Sequence, residues 1–164
     1  MVVICPDTFD QEGYQSAFGL FPKFELSPFQ KWAVKAICDG DHSLVTAHTG
    51  SGKTLPAEYA ILRAAQHGKR VIYTAPIKAL SNTKLSDLRA KYPDISFGLI
   101  TGDITDNPEA QVLIMTTEVL PNTLCNMRAR KGRDPDSQEP LPPLSFEMDI
   151  DNDLEAVVFD EVHY

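Results

Sequence analysis

The sequence lacks any apolar run long enough to span a membrane, and its N-terminus does not resemble a secretion signal. Residues 1–7 have no basic start and too short an apolar stretch. The chain also has few cysteines: Cys5, Cys38 and Cys125 are odd in number and form no close pair, which argues against a disulfide framework. We therefore predict an intracellular protein, nuclear or cytoplasmic, with reduced thiols and no membrane partner.

Positive charge is scarce as well. Fifteen Lys and Arg against 23 Asp and Glu give a formal net charge of −8, which argues against a broad basic surface for nucleic acid. Much of the acidity, however, lies between residues 134 and 161. Backbone amides and helix N-termini can also bind phosphates without adding to the charge. The net negative charge therefore argues against nucleic-acid binding but does not exclude it.

An apolar content of 43% in 164 residues predicts a globular domain with a real core. Apolar periodicity then alternates between helical and extended patterns, with Ser27 as the N-cap of the first helix, Pro28 at its first position and Gly40 at its end. This alternation predicts an α/β fold whose mostly parallel sheet carries helices on both faces. We predict helices over 28–39, 53–66, 77–91 and 118–130, and strands over 43–47, 70–75, 95–100, 112–116 and 155–159.

Two segments differ in character from this α/β region. Residues 1–23 carry scattered aromatics without periodicity and are predicted to be an N-terminal extension before a domain that covers residues 24–164. Residues 131–153 are acidic and rich in proline, a composition that buries too little surface to fold. We predict a mobile surface loop there, with a partner-docking segment as the alternative.

A phosphate-binding loop is predicted where residues 47–54 read Ala-His-Thr-Gly-Ser-Gly-Lys-Thr. Such a loop needs small residues so that backbone N–H groups converge on the phosphates, a Lys for the β- and γ-oxygens, and a hydroxyl for Mg²⁺. Ala47 replaces the first glycine of the usual pattern. The residues expected to hold the nucleotide are Thr49, Gly50, Ser51, Gly52, Lys53 and Thr54.

Two adjacent carboxylates, Asp160 and Glu161, follow the last predicted strand. Acids at the end of a buried strand are costly unless a metal or a reaction needs them there. We predict that Asp160 holds Mg²⁺ opposite Thr54 and that Glu161 orients the attacking water. The alternative is an acidic strand end exposed to solvent.

Six short motifs follow one another along the chain. They are residues 24–30, 47–54, 74–82, 101–103 and 115–118 and the sequence Asp160-Glu161-Val162-His163. Together and in this order they resemble superfamily 2 DExH-box RNA helicases, specifically the superkiller and exosome-cofactor branch. The last motif matches the box that names these helicases, and the resemblance covers about residues 24–164.

The resemblance implies a RecA-like P-loop NTPase fold and ATP-dependent 3′-to-5′ unwinding or remodelling of RNA, with single-stranded RNA as the bound partner and ATP and Mg²⁺ as cofactors. It implies that Phe24 stacks on adenine, that Gln30 binds the adenine edge, and that His163 couples the nucleotide site to a second RecA-like domain. Lys53, Asp160 and Glu161 would carry catalysis. The residues expected along the nucleic-acid backbone are Pro76, Lys78, Gly102, Asp103, Thr117 and Glu118.

Some of these residues have a purely structural or solvent-exposed role as the alternative. Phe24 could be a core residue, Lys78 a solvated helix residue, and Glu118 a first-turn acid favoured by the helix dipole.

The sequence departs from the family pattern in two ways. The connection between Thr117-Glu118 and the DExH strand is longer here, and nothing resembles the family's Ser-Ala-Thr motif, second core domain or arginine-rich motif. We therefore expect an incomplete RecA-like domain with open sheet edges and negligible ATPase activity by itself. The alternatives are a DNA helicase of the related repair branch or a non-catalytic nucleotide- or RNA-binding module. An exosome-type complex is a possible partner.

Overall fold

The computed structural model describes residues 4–22, 25–132 and 140–162. The chain divides into two compact units, residues 1–63 and residues 64–164. Each unit has its own cluster of buried apolar side chains.

The described part of the first unit is helical. It contains α1 (Gln15–Phe18), α2 (Pro28–Asp39) and the first turns of α3 (Thr54–His67). Helix α2 begins and ends as predicted: Pro28 occupies its first position, and Gly40 follows it in the left-handed conformation with φ +77°. The core residues of this unit are Ala17, Phe21, Leu26, Val34 and Tyr59.

The segment before α2 packs through aromatic side chains. The ring of Phe9 lies 4.9 Å from that of Trp32 and 5.5 Å from that of Phe18, both in edge-to-face geometry. The indole Nε1 of Trp32 donates a hydrogen bond to the Thr8 carbonyl at 3.0 Å. This stretch is therefore attached to α2, and its separation from a domain over 24–164 stays a prediction.

A five-stranded sheet forms the centre of the second unit, in the order β3-β2-β4-β1-β5. All neighbouring strands run parallel except β2 and β3, which are antiparallel. Tyr73 on β1 lies in register with Ile114 on β4 and Val158 on β5. The mostly parallel sheet is thus confirmed, with strands β1 (Arg70–Ala75), β2 (Phe97–Ile100), β3 (Thr105–Asp106), β4 (Val112–Thr116) and β5 (Leu154–Phe159).

Helices cover both faces of this sheet. Successive residues of a strand point to opposite faces, so Ile72 and Tyr73 on β1 face different layers. Ile72 packs with the first turn of α5 (Val119–Lys131), whereas the ring of Tyr73 lies 6.0 Å from the ammonium of Lys84 on α4 (Lys78–Lys91). A short helix, α6 (Ile150–Asp153), leads into β5. The predicted α/β layering is confirmed.

The strand predicted over residues 43–47 is wrong. These residues join no ladder among the described residues, and Leu44 is 78% exposed. A short apolar run has little preference for the extended state unless a neighbouring strand pairs with it. Within the described residues the outer edge of β5 is unpaired too.

The mobile loop predicted over residues 131–153 is shorter at both ends than predicted and is anchored in its second half, while its mobility stays a prediction. Lys131 ends α5, residues 150–153 form α6, and Phe146 between them is 2% exposed within the core of the second unit. Side chains of α5 bind this stretch: Asn126 donates to the Pro143 carbonyl at 2.8 Å, and Arg130 Nε donates to the Pro142 carbonyl at 2.9 Å. The buried Phe146 ring and the hydrogen bonds from α5 to backbone carbonyls thus hold this stretch against the second unit, despite its polar composition.

Candidate functional site

The glycine-rich loop adopts a backbone that requires its glycines. Gly50 and Gly52 have φ of +83° and +84°, in the left-handed region that other residues rarely occupy. A β-carbon on Gly52 would also lie 2.6 Å from the Gln30 side-chain nitrogen. Helix α3 begins at Thr54, immediately after the loop.

Within the loop, carbonyl oxygens bind the Lys53 ammonium, which donates to the carbonyls of Ala47 at 2.7 Å and His48 at 3.0 Å. The His48 carbonyl also accepts the Ser51 hydroxyl at 2.7 Å. In the described ranges, the N–H groups of Thr49 and Gly50 make no backbone hydrogen bond. Free amides beside an ammonium at a helix N-terminus form a donor set that fits a phosphate.

Gln30 links the start of α2 to this loop. Its Oε1 accepts the Ser27 N–H at 2.9 Å, and its Nε2 donates to the Gly52 carbonyl at 3.0 Å. The side chain is 7% exposed. Ser27 occupies the predicted N-cap position of α2, but its hydroxyl makes no cap hydrogen bond. Of the two hydrogen bonds of a capping box, only the one to the Gln30 side chain forms. Gln30 thus fixes the loop, and its contact with adenine stays a prediction.

Asp160 directly follows β5, and both of its carboxylate oxygens have donors. Oδ2 accepts the Tyr73 hydroxyl at 2.5 Å and lies 3.4 Å from the Lys84 ammonium, while Oδ1 accepts the Glu161 N–H at 3.1 Å. The Asp160 N–H extends the ladder by donating to Thr74 at 2.9 Å. Glu161 has φ +51°, a left-handed conformation that costs energy in a non-glycine residue. Such strain is commonest at functional sites.

A surface ion pair joins two of the predicted nucleic-acid residues. The Lys78 ammonium lies 2.7 Å from Asp103 Oδ1, which also accepts the Thr101 hydroxyl at 2.8 Å. These two hydrogen bonds, that from Lys78 first, lower the pKa of the Asp103 carboxyl below its usual range. Lys78 therefore has an acidic partner, but its side chain is 53% exposed, so its place along a nucleic-acid backbone stays a prediction beside the alternative of a solvated helix residue.

The remaining predicted contacts lie at the same edge of the sheet, because all follow the carboxyl ends of parallel strands. Pro76 comes after β1, Gly102 and Asp103 after β2, and Thr117 after β4, with the Thr117 N–H donating to Ala75 at 3.1 Å. Glu118 occupies the N-cap position of α5 without a side-chain cap bond. In open parallel sheets this edge is where ligands bind.

Comparison with known proteins decides the family. The model of the DEAD/DEAH box helicase family matches residues 27–164, most of the chain. The chain belongs to the DEAD/DEAH box helicases. The family uses ATP, and the partial RecA-like α/β fold expected from the sequence is confirmed.

Curated relatives within this helicase family confirm the resemblance to the superkiller branch. The chain is 45% identical to the antiviral helicase SKI2 of Saccharomyces cerevisiae over 86% of its length, which is 9% of that protein. It is 45% identical to superkiller complex protein 2 of Homo sapiens and 40% identical to the ATP-dependent RNA helicase mtr4 of Schizosaccharomyces pombe, each over 86% of the chain and 10% and 11% of those proteins. The chain thus spans about a tenth of their length.

Two of the predicted helicase residues, Phe24 and His163, lie outside the described residues. The others fall into two groups that belong to separate units: the loop with Gln30 in the first, and the carboxylates with the sheet-edge residues in the second. In the part of the chain that the structure describes, no cluster of three or more His, Cys, Asp or Glu is placed to bind a metal. No described helix is long and apolar enough to cross a membrane.

Sequence reasoning missed Tyr73 and Lys84, the two side chains that contact Asp160. Tyr73 reads as one more apolar residue of a buried strand, and Lys84 as one more polar residue of an amphipathic helix. Only the register of β1 with β5 reveals that Tyr73 lies beside the residues leading to Asp160.

Proposed function

We propose that the chain is the ATP-binding part of an ATP-dependent 3′-to-5′ RNA helicase that remodels RNA during decay or processing. The observation that carries this proposal is the left-handed glycine loop with the Lys53 ammonium inside it, in a chain of the DEAD/DEAH family. Relatives named as RNA helicases support RNA over DNA as the substrate.

In this proposal, the loop binds the ATP phosphates, and Lys53 exchanges its carbonyl partners for phosphate oxygens. Thr54 and Asp160 supply the hard oxygen ligands that Mg²⁺ prefers, and Glu161 orients the attacking water. Phe24 stacks on adenine and Gln30 binds its edge. The remaining role, coupling to a second RecA-like domain, falls to His163.

The proposed RNA surface is the edge at the carboxyl ends of β1, β2 and β4. Its residues are exposed or half-buried, apart from the strand ends themselves. The single-stranded backbone would lie along Pro76, Lys78, Gly102, Asp103, Thr117 and Glu118. An intracellular setting and an exosome-type complex complete the proposal.

Nucleotide binding is the first test. We expect a fluorescent ATP analogue to bind the wild-type chain in a Mg²⁺-dependent manner, and Lys53→Met to weaken binding by about tenfold or more, because a charge-assisted contact to phosphate is lost. Lys31→Met, which changes the net charge equally on helix α2, is the matched control. Equal affinity of the Lys53 variant and the wild type would refute the assignment of the loop.

Turnover and substrate choice are the second test. These residues alone should release phosphate negligibly, because an arginine from a second domain contributes several orders of magnitude in related systems. Strong RNA-stimulated turnover would contradict this expectation. Salt-matched affinities for RNA and DNA strands of one sequence then distinguish the substrates, and preference for DNA would favour the repair branch.

A further inference from the structure

Asp160 has a set of partners in the second unit that the family assignment does not explain. Tyr73 is 1% exposed on β1, whereas the side chains of Lys84 and Asp160 are 24% and 25% exposed. The three contact one another: the Tyr73 hydroxyl and the Lys84 ammonium both reach Asp160 Oδ2, and the same ammonium lies 6.0 Å from the Tyr73 ring centre. We call Tyr73, Lys84 and Asp160 the carboxylate clasp.

We propose that Tyr73 and Lys84 are positioning residues for Asp160, with Tyr73 fixing the orientation of its carboxylate and Lys84 acting as its counter-ion when no divalent cation is bound. This inference rests on the proposed function, in which Asp160 is a metal-binding carboxylate. A carboxylate that ligates a metal is typically oriented by hydrogen bonds from neighbouring side chains. The clasp supplies such bonds.

The two residues should act in opposite directions on a divalent cation. A carboxylate has about four lone-pair sites, so a hydroxyl donor leaves others available for a metal ligand or its water. The Lys84 ammonium, by contrast, is a positive charge beside Oδ2 that repels a second cation. Loss of the Tyr73 hydroxyl should therefore weaken cation binding, and loss of the Lys84 charge should strengthen it.

The first experiment tests the clasp without nucleotide. Lysine acetylation by a small reagent is followed by mass spectrometry in the wild-type chain and in Asp160→Asn. We expect the reactivity of Lys84 to rise by about two- to fivefold when the carboxylate charge is removed, the range given by a partly exposed ion pair. Lys91, on the same helix, is the internal control and should not change. Unchanged Lys84 reactivity overturns the clasp, whatever the nucleotide results show.

The second experiment measures the cation. Mn²⁺ is titrated by electron paramagnetic resonance in the presence of a non-hydrolysable ATP analogue. We expect Tyr73→Phe to weaken Mn²⁺ binding by about tenfold and Lys84→Gln to strengthen it by about two- to fivefold. Lys84→Arg should restore the wild-type affinity, and Lys91→Gln should leave it unchanged.

Shifts of Tyr73→Phe and Lys84→Gln in the same direction, or no shift in either, would overturn the proposal. A wild-type chain that binds no nucleotide would instead refute the proposed function, and the acetylation result would still test the clasp. Since Tyr73→Phe removes one oxygen from a buried ring, an unchanged circular dichroism spectrum is the expected control for folding.

Discussion

Replacing Phe146 with alanine should destabilise the second unit by about 3 kcal/mol. The ring is 2% exposed and packs among Ile72, Leu113 and Leu120, and burial of an aromatic side chain removes about 150–250 Å² from water. At about 25 cal/mol per Å² this is worth roughly 4–6 kcal/mol as an upper estimate, because an extended unfolded chain overstates the area. Measured Phe→Ala costs in cores are about 3–5 kcal/mol.

The assay is urea unfolding followed by circular dichroism. With a slope of about 2 kcal/mol per M, a loss of 3 kcal/mol lowers the midpoint by about 1.5 M. Leu141→Ala is the matched control from the same segment, because Leu141 is 55% exposed and should change stability by less than about 0.5 kcal/mol. Phe146→Leu should fall between the two. Equal midpoints for Phe146→Ala and Leu141→Ala would mean that the segment is mobile after all, as its composition predicts.

Three further predictions concern the loop and two charged contacts. Gly52→Ala should reduce nucleotide affinity more than Gly50→Ala, because both strain a left-handed backbone but only the Gly52 β-carbon meets another side chain; equal losses of affinity would leave backbone strain as the only cause. Arg70→Met should cost about 2–3 kcal/mol in the urea assay, since Arg70 donates to three backbone carbonyls, and an unchanged midpoint would contradict this. Lys78→Gln should raise the pKa of Asp103 toward its ordinary value, as observed by NMR of the carboxyl carbon. The pKa of Asp103 is lower in the folded state than in the unfolded state. The ionised carboxylate therefore stabilises the fold above the unfolded-state pKa, and this stabilisation is lost as the pH falls through the folded-state pKa.

The strands and helices of the second unit could be predicted from the sequence because each has a strong periodic pattern between clear turn signals. Strand β1 over Arg70–Ala75 and β4 over Val112–Thr116 were predicted to the residue. Residues 43–47 have a similar apolar run but no strand, because pairing with a neighbour is a property of the sheet and not of the segment. The burial of Phe146 could not be predicted, because a single apolar ring in a polar, proline-rich stretch produces no apolar periodicity.

The candidate site divides in the same way. Motif spacing predicts Gly52, Lys53 and Asp160 as site residues, since phosphate and Mg²⁺ chemistry requires particular residue types in a fixed order. Spacing could not identify their partners within the protein. The Gly52 carbonyl meets a side chain 22 positions away, and Asp160 meets a hydroxyl 87 positions away, both through tertiary contacts that no local pattern encodes.

These partners change how the charged groups should be understood. Lys53 and Asp160 carry the charges that a metal–nucleotide complex would contact, yet each already has donors or acceptors within its own unit. Ligand binding is then an exchange of contacts, and its net gain is smaller than the new contacts alone would suggest. Replacing an internal partner should consequently alter the affinity for the metal–nucleotide complex, even though that partner does not contact the ligand. The Lys84 ammonium repels a cation, whereas the Tyr73 hydroxyl orients the carboxylate that would bind it. The direction of the change in cation affinity therefore shows whether the removed partner competed with the cation or helped to bind it.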